Sequence, residues 1–294
     1  MRAVITLTTD FGLRDPYVAE LKGAILSINP AVHLVDITHD VAPHDVIEAA
    51  LTIDAAAPHF PPGTIHVAVV DPGVGTARRG IAVTARGHVF IGPDNGLFTA
   101  CFAAADWRAV ELVAAEYRAP SVSRTFHGRD VFAPAAAHVA LGVDPARFGP
   151  AVVDPVRLVW PEMRARQGAI AGTVVHIDHF GNLLTSINRK AMEALGPDVT
   201  VRVGRRVLRL VGTYGDLPPG APGALVGSRN RLEIAVREGS AARLLGAGRG
   251  AAVLVSPTTR TSRTTTTSRT TTSRRTRTSR SPTKSWRNRS SSST

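Results

Sequence analysis

Asp71 and Arg78 have the clearest potential for chemistry, because they share a short glycine loop that follows an apolar run. The run, Val67–Val70, is typical of a strand buried on both faces. Asp71 therefore places a carboxylate at the carboxyl end of this strand, where open α/β sheets bind ligands. Gly73 and Gly75 lack a Cβ, so backbone N–H groups can approach a ligand closely. The pattern predicts a ligand-binding carboxylate near Arg78; a surface aspartate beside a solvated arginine is the plain alternative.

Two other polar side chains lie at positions where a ligand could bind. Asp10 follows a predicted strand, and His127 precedes a predicted helix. Ala3–Thr8 is predicted as the first strand, so Asp10 adds a second carboxylate at a strand's carboxyl end. His127 and Gly128 form a loop at the entrance to an alanine-rich helix that Asp130 could cap. A lone histidine is more often structural than catalytic, although this position favours contact with a ligand.

Extended and helical segments alternate through the first half of the chain. Asp15 and Pro16 predict the N-cap and first residue of a helix, and Asp45 predicts the N-cap of a second one. Strands are predicted at 33–37, 80–84 and 88–91. This alternation is typical of the α/β class and predicts a layered N-terminal domain with a mostly parallel sheet.

The second half of the chain has a different pattern. Prolines interrupt the segment from Pro145 to Gln167, as in an interdomain connection. Short strands and a hairpin turn at Gly204-Arg205 then predict a smaller β-barrel-like domain. The predicted organisation is an α/β domain over 1–150, a linker over 151–167, a β-rich domain over 168–256 and a disordered Thr/Ser/Arg tail over 257–294.

The basic character of the chain comes from its C-terminal tail. The formal net charge is +12, but nine Arg and one Lys lie after Pro257, with no acid among them. Removing those ten from 35 basic residues leaves 25 against 23 acidic ones, so the rest of the chain carries about +2. A nucleic-acid-binding arm is one interpretation of the tail; an abnormal reading frame at the end of the gene is another.

Cysteine content and hydropathy favour the cytoplasm. The single cysteine, Cys101, cannot form an intrachain disulfide, so nothing indicates an oxidising compartment. We find neither a charged-then-apolar leader nor a run of about 18 apolar residues. No contact with a membrane is expected.

Six motifs, in order, resemble those of one known enzyme family. Together they are similar to the S-adenosyl-L-methionine hydroxide adenosyltransferases, the hydrolytic relatives of fluorinases and chlorinases, over roughly residues 2–255. The motifs are Thr9-Asp10-Phe11-Gly12 with Asp15-Pro16-Tyr17-Val18, Val70–Thr76, Pro93–Gly96, Phe126–Asp130, Asp178–Leu183 and Gly227–Asn230.

The resemblance implies a reaction and an assembly. S-adenosylmethionine would react with water to give adenosine and L-methionine, without a cofactor or a metal. The family pattern also implies a homotrimer, with each site between the N-terminal domain of one subunit and the β-barrel of a neighbour. Halogenating relatives have an aromatic and hydroxyl-bearing loop where Asp71 lies, which argues for water rather than halide as nucleophile.

The resemblance also implies roles for individual residues. Asp71, Arg78 and His127 match the family's Asp-Arg-His triad, which would activate the water in an SN2 reaction. Which of Asp71 and His127 accepts the proton is open at this point. The implied substrate-binding residues are Asp10 for the ribose hydroxyls, Asn95 in the Pro93–Gly96 motif, Asp178 for the methionine ammonium, Asn182 for adenine, and Ser228 and Arg229 for the methionine carboxylate.

Other functions are compatible with parts of the sequence. A metal-dependent hydrolase could draw ligands from His39, Asp40, His44, Asp45, His176, Asp178 and His179, although no HExxH or paired-cysteine spacing is present. A non-catalytic adenosine or S-adenosylmethionine binding module would have no use for a water-activating Asp71. The Gly73-Val74-Gly75 loop lacks the spacing of a dinucleotide-binding motif, because the next glycine is Gly80.

Overall fold

The computed structural model describes residues 2–166 and 168–258. The predicted tail over 257–294 therefore lies almost entirely outside the described residues. Within the described ranges, no helix has the combination of length and apolar character needed to cross a bilayer.

Six strands form one mixed sheet in the described residues before 150, in the order β2-β1-β3-β5-β4-β6. The first four in this order are parallel, and β4 is antiparallel to both β5 and β6. This confirms the α/β class and its mostly parallel sheet. The strands are β1 (Val4–Thr9), β2 (His33–Thr38), β3 (Ile65–Val69), β4 (Gly80–Ala85), β5 (His88–Pro93) and β6 (Arg108–Glu111).

Helices cover both faces of this sheet, as a parallel sheet requires. One apolar core joins alternate residues of β1 and β3 to α1 (Tyr17–Ile28) and α3 (Ala133–Ala140). On the opposite face, Ala68 and Val70 pack with α2 (Val46–Ala56). The buried run at the centre of the sheet therefore ends with Val70, and Asp71 leaves the sheet at its carboxyl edge.

Of the two N-caps predicted at Asp15 and Asp45, the structure confirms only Asp45. Asp45 caps α2, because its side chain accepts a hydrogen bond of 2.9 Å from Glu48 N. The expectation for Asp15 is wrong: Pro16 itself occupies the N-cap position with φ −74° and ψ 0°, and no side chain caps α1. The helix therefore begins one residue later than predicted.

Eight strands after residue 160, within the described part of the chain, form a nearly closed antiparallel sheet around its own core. Its edges approach where Val211 N donates to Ala224 O at 2.8 Å, which confirms the barrel-like second half. The elements are β7 (Arg164–Arg166), β8 (Ala169–Ile177), β9 (Leu183–Asn188), α4 (Arg189–Leu195), β10 (Val199–Val203), β11 (Arg206–Arg209), β12 (Pro222–Val226), β13 (Arg231–Val236), α5 (Ala241–Leu245) and β14 (Ala252–Pro257).

Candidate active site

The structure brings Asp71, Arg78 and His127 into direct contact. Arg78 Nε donates to Asp71 Oδ1 at 2.9 Å, and a terminal nitrogen of the same guanidinium bonds Asp71 Oδ2. That terminal nitrogen also lies 2.9 Å from His127 Nδ1. The Asp71 and Arg78 side chains are only 6% and 10% exposed, so the pair is shielded from competing solvent. One guanidinium thus fixes both the acid and the imidazole.

The loop after β3 turns Arg78 back toward Asp71. Two backbone hydrogen bonds tighten it, from Val74 N to Asp71 O and from Thr76 N to Gly73 O, each 3.2 Å long. Gly75 has φ +78°, a conformation that side-chain-bearing residues rarely adopt. A Cβ on Gly75 would lie 2.6 Å from the Arg124 carbonyl oxygen. The glycine therefore allows the loop to pass against the segment that leads to His127.

Asp71 and His127 line a cleft of about 280 Å³ at the carboxyl edge of the sheet, together with Asp10. Asp10 Oδ2 accepts a hydrogen bond of 2.9 Å from His44 N. His44 also lines the cleft and has φ +67°. The remaining wall is largely aromatic: Phe11, Tyr17 and Phe126 pack edge to face with ring centroids 5.3–6.0 Å apart.

A second cleft, of about 710 Å³, lies on the barrel. Asp178, Asn182, Ser228 and Arg229 line it, as the sequence groups them. Asp178 Oδ1 accepts from Asn182 N at 2.8 Å and from Phe180 N at 3.0 Å, and Oδ2 accepts from Asn182 Nδ2 at 3.0 Å. The Asp178 carboxylate thus holds its own loop in shape. Among the described residues, the barrel cleft and the cleft at Asp71 share no lining residue.

Models of a single enzyme family match both halves of the chain. The N-terminal domain of the SAM hydroxide adenosyltransferases matches residues 5–149, and their C-terminal domain matches residues 172–254. The chain belongs to this family. The resemblance expected from the six motifs is thereby confirmed.

The matches to individual relatives span nearly the whole length of those relatives. The (R)-S-adenosyl-L-methionine hydrolase of Salinispora tropica is 42% identical over 246 residues, 82% of this chain and 93% of the relative. The enzyme of the same name from Thermus thermophilus is 41% identical over 258 residues, covering 85% and 98%. The crystal structure of an uncharacterized conserved protein from Thermotoga maritima has a TM-score of 0.81 at 34% identity and covers 86% and 99%.

Asn95 occupies a different position from the other predicted substrate ligands. Its side-chain amide donates to Val70 O at 2.8 Å, and its oxygen accepts from Leu97 N at 3.3 Å. In the described part of the chain, neither cleft includes Asn95 among its lining residues. Asn95 holds the end of the strand that carries Asp71, and a direct contact with substrate stays a prediction.

Several cleft residues were not predicted from the sequence. His44 was considered only as a possible metal ligand, although it stands directly before the cap of α2. Tyr214 and Glu233 line the barrel cleft and bond to each other through the tyrosine hydroxyl. Glu233 is the single acid in the otherwise apolar strand segment Leu232–Val236, and that exception is the signal that could have identified it.

No metal site is formed by the residues proposed for the metal-dependent alternative. In residues 2–166 and 168–258, no group of three or more His, Cys, Asp or Glu side chains converges as a metal ion would require.

Replacing Gly75 tests the loop geometry. Both Gly75→Ala and Gly63→Ala place a Cβ at positive φ, which costs about 1–3 kcal/mol of stability. Only Gly75 meets a backbone oxygen, because nothing lies within 4 Å of a Cβ at Gly63. We expect Gly75→Ala to lower kcat by about 100-fold through displacement of the loop, while Gly63→Ala keeps kcat. Thermal unfolding and turnover measure the two effects; equal kcat values in the two variants would contradict this role.

The pH dependence of turnover should follow His127. Burial of the ring and the Arg78 charge both lower the pKa of His127 from its ordinary value of 6.5. Protonated Nδ1 could no longer accept from Arg78. We therefore expect kcat to be level above pH 6.5 and to fall only at lower pH, where the imidazole gains a proton. Rates of product formation at constant ionic strength measure this, and an acid limb centred above pH 6.5 would contradict it.

Proposed function

We propose that this protein hydrolyses S-adenosyl-L-methionine to adenosine and L-methionine. The observation that carries the proposal is the contact of Asp71, Arg78 and His127 at one cleft of a SAM hydroxide adenosyltransferase. Relatives at 41–42% identity that carry the hydrolase name support the same reaction. Water is the proposed nucleophile, and it attacks the substrate's C5′ in line with the departing sulfur.

The chemistry requires little from the leaving group. Sulfur departs from a sulfonium as a neutral thioether, so no general acid is needed. The limiting factor is water, a poor nucleophile that must be held behind C5′. Positioning of this kind is worth up to about 7–11 kcal/mol in ideal cases, whereas general-base assistance contributes about 10²–10⁴-fold. Orientation by the triad is therefore the larger effect.

The hydrogen bonds favour Asp71 as the proton acceptor. A guanidinium only donates, so His127 Nδ1 accepts from Arg78 and the neutral ring carries its hydrogen on Nε2. Nε2 can then donate to the water oxygen but cannot take its proton. Each oxygen of Asp71 accepts from Arg78 and keeps a further lone pair. We assign the acceptor role to Asp71 and the orienting role to His127.

Substrate binding is divided between the two clefts. Asp10 would accept hydrogen bonds from the two ribose hydroxyls at the Asp71 cleft. On the barrel, Asp178 and the pair Ser228 and Arg229 would bind the ammonium and carboxylate of the methionine part, and Asn182 would bind adenine. The clefts are separate on one chain. This separation supports an assembly in which a neighbour's barrel completes each site, and the family resemblance implies that the assembly is a homotrimer. We also propose that the enzyme works in the cytoplasm without a cofactor.

A product assay tests the proposed function. The protein is incubated with S-adenosylmethionine in chloride- or fluoride-containing buffer, with and without EDTA, and the products are separated by chromatography. We expect adenosine and methionine in equal amounts, no halogenated nucleoside, and no effect of the chelator. Tight binding without turnover would indicate a binding module instead, and loss of activity with EDTA would indicate a metal-dependent hydrolase.

A further inference from the structure

Glu233 presents a buried carboxylate to the barrel cleft. Leu232, Ile234 and Val236 of β13 pack in the barrel core, so the alternation of the strand directs Glu233 to the opposite face. There it lines the cleft, yet the residue is only 8% exposed. A carboxylate this buried is rare unless it is paired. The contacts of the Glu233 carboxylate therefore indicate its function.

Its two oxygens have different surroundings. Oε1 accepts a hydrogen bond from the Tyr214 hydroxyl, whereas Oε2 has no hydrogen-bond partner among the described residues. A Cβ on Gly227 would lie 2.5 Å from Oε2, so the chain leaves space for this oxygen by having glycine there. The Tyr214 contact fixes the carboxylate, and the second oxygen is left to accept from something outside the protein.

The charges around Glu233 fit one class of ligand group. Burial and the negative charge of Asp178 raise the pKa of the Glu233 carboxyl, so an incoming cation would relieve an unfavourable charge. Asp178 already accepts three hydrogen bonds from its own loop, so an ammonium bound beside it would need a further acceptor, which Glu233 can supply. Arg229 and Ser228 supply donors on the same cleft. A carboxylate pair beside a guanidinium and a hydroxyl complements a zwitterion.

We propose that Glu233, held by Tyr214, binds the α-ammonium group of the methionine part of the substrate together with Asp178 and selects for it. This inference rests on the proposed function and assigns a specificity-determining residue that the six motifs leave out. Glu233 acts on binding and not on the water, because it lies in the barrel cleft and Asp71 lies in the other.

The test compares Glu233→Gln with Glu193→Gln in the full chain. Glu193 is an exposed residue of α4 and lines neither cleft. Loss of a hydrogen bond between charged groups should raise KM for S-adenosylmethionine about 10–100-fold in Glu233→Gln, with kcat within about twofold. Glu193→Gln should match the parent in both constants.

Two substrate analogues identify the group that Glu233 contacts. The parent should discriminate against deaminated S-adenosylmethionine, and Glu233→Gln should lose most of that preference. S-inosylmethionine, which carries a carbonyl in place of the purine amino group, should be affected equally in both proteins. The proposal would be overturned if Glu233→Gln changed the discrimination against S-inosylmethionine and not that against the deaminated substrate. An unchanged KM in Glu233→Gln would also overturn it.

A second variant covers the case in which Glu233→Gln does not fold. Tyr214→Phe removes the hydroxyl that fixes the carboxylate, and the tyrosine is 44% exposed, so the core stays intact. It should raise KM with kcat preserved, and an unaltered KM would overturn the proposal. Calorimetric binding of the same analogues needs no turnover. If the parent released no adenosine, the proposed function would be contradicted, but calorimetry would still test whether Glu233 binds the ammonium group.

Discussion

Asp71→Asn is expected to lose about 10²–10⁴-fold in kcat while it still binds S-adenosylmethionine. The amide keeps the size of the carboxylate and one acceptor oxygen for Arg78, so the loop should keep its conformation. It loses the negative charge and the oxygen that would accept the water proton. Adenosine release gives kcat, and calorimetry gives Kd, which should change by less than about threefold.

Asp154→Asn is the matched control for this substitution. Asp154 also pairs with an arginine, Arg79, but its side chain is 77% exposed and far less shielded than that of Asp71. We expect the parental kcat in this variant. An Asp71→Asn protein that hydrolyses the substrate at the parental rate would remove Asp71 from the mechanism, and the proposed proton acceptor would be wrong.

Arg78→Lys is expected to lower kcat by about 100-fold, although the charge is kept. The guanidinium uses separate nitrogens to reach the two oxygens of Asp71, and one of them also reaches His127. A lysine ammonium is a single point and cannot hold the acid and the imidazole in this arrangement. The loss should appear in kcat and not in KM, because Arg78 contacts other triad members and is not among the lining residues of the cleft.

Arg86→Lys serves as the control for Arg78→Lys. Arg86 pairs with Asp54 at 3.0 Å, and both side chains are more than a third exposed. Such a surface pair contributes about 0–1 kcal/mol, so kcat should stay at the parental value. If Arg78→Lys were as active as Arg86→Lys, the guanidinium fork would have no part in catalysis.

The sequence predicts elements well where the deciding contacts are local. Asp45 caps its helix because a side chain three residues from its partner needs no other part of the fold. Asp15 carries the same signal, but Pro16 takes the cap position and shifts the helix by one residue. The sequence also allows Asp130 to cap the alanine-rich helix. It instead accepts from Ser123 N at 2.8 Å and pairs with Arg129, within a π-helical turn over Gly128–Phe132.

The candidate site residues also divide into those that local sequence predicts and those that only the packing of the whole domain brings together. Asp71 could be placed at a strand end from hydrophobic pattern alone, and the loop glycines made the return of Arg78 plausible. The contact of Arg78 with His127, 49 residues later, follows from packing of the whole domain and only the family motifs suggested it. The lone acid in Leu232–Val236 marks Glu233 as an exception, but only the fold shows that Tyr214, from another segment, bonds to it.

The ion pair between Arg249 and Asp45 connects the two halves of the molecule. Asp45 caps α2 with one oxygen and bonds Arg249, on the barrel side, with the other. The residue before it, His44, holds Asp10 through its backbone N–H. The barrel is therefore tied to the Asp10 side of the Asp71 cleft within the same subunit. Chimeras that exchange barrels between relatives should carry a basic residue at this position, since a neutral graft would free the segment that supports Asp10.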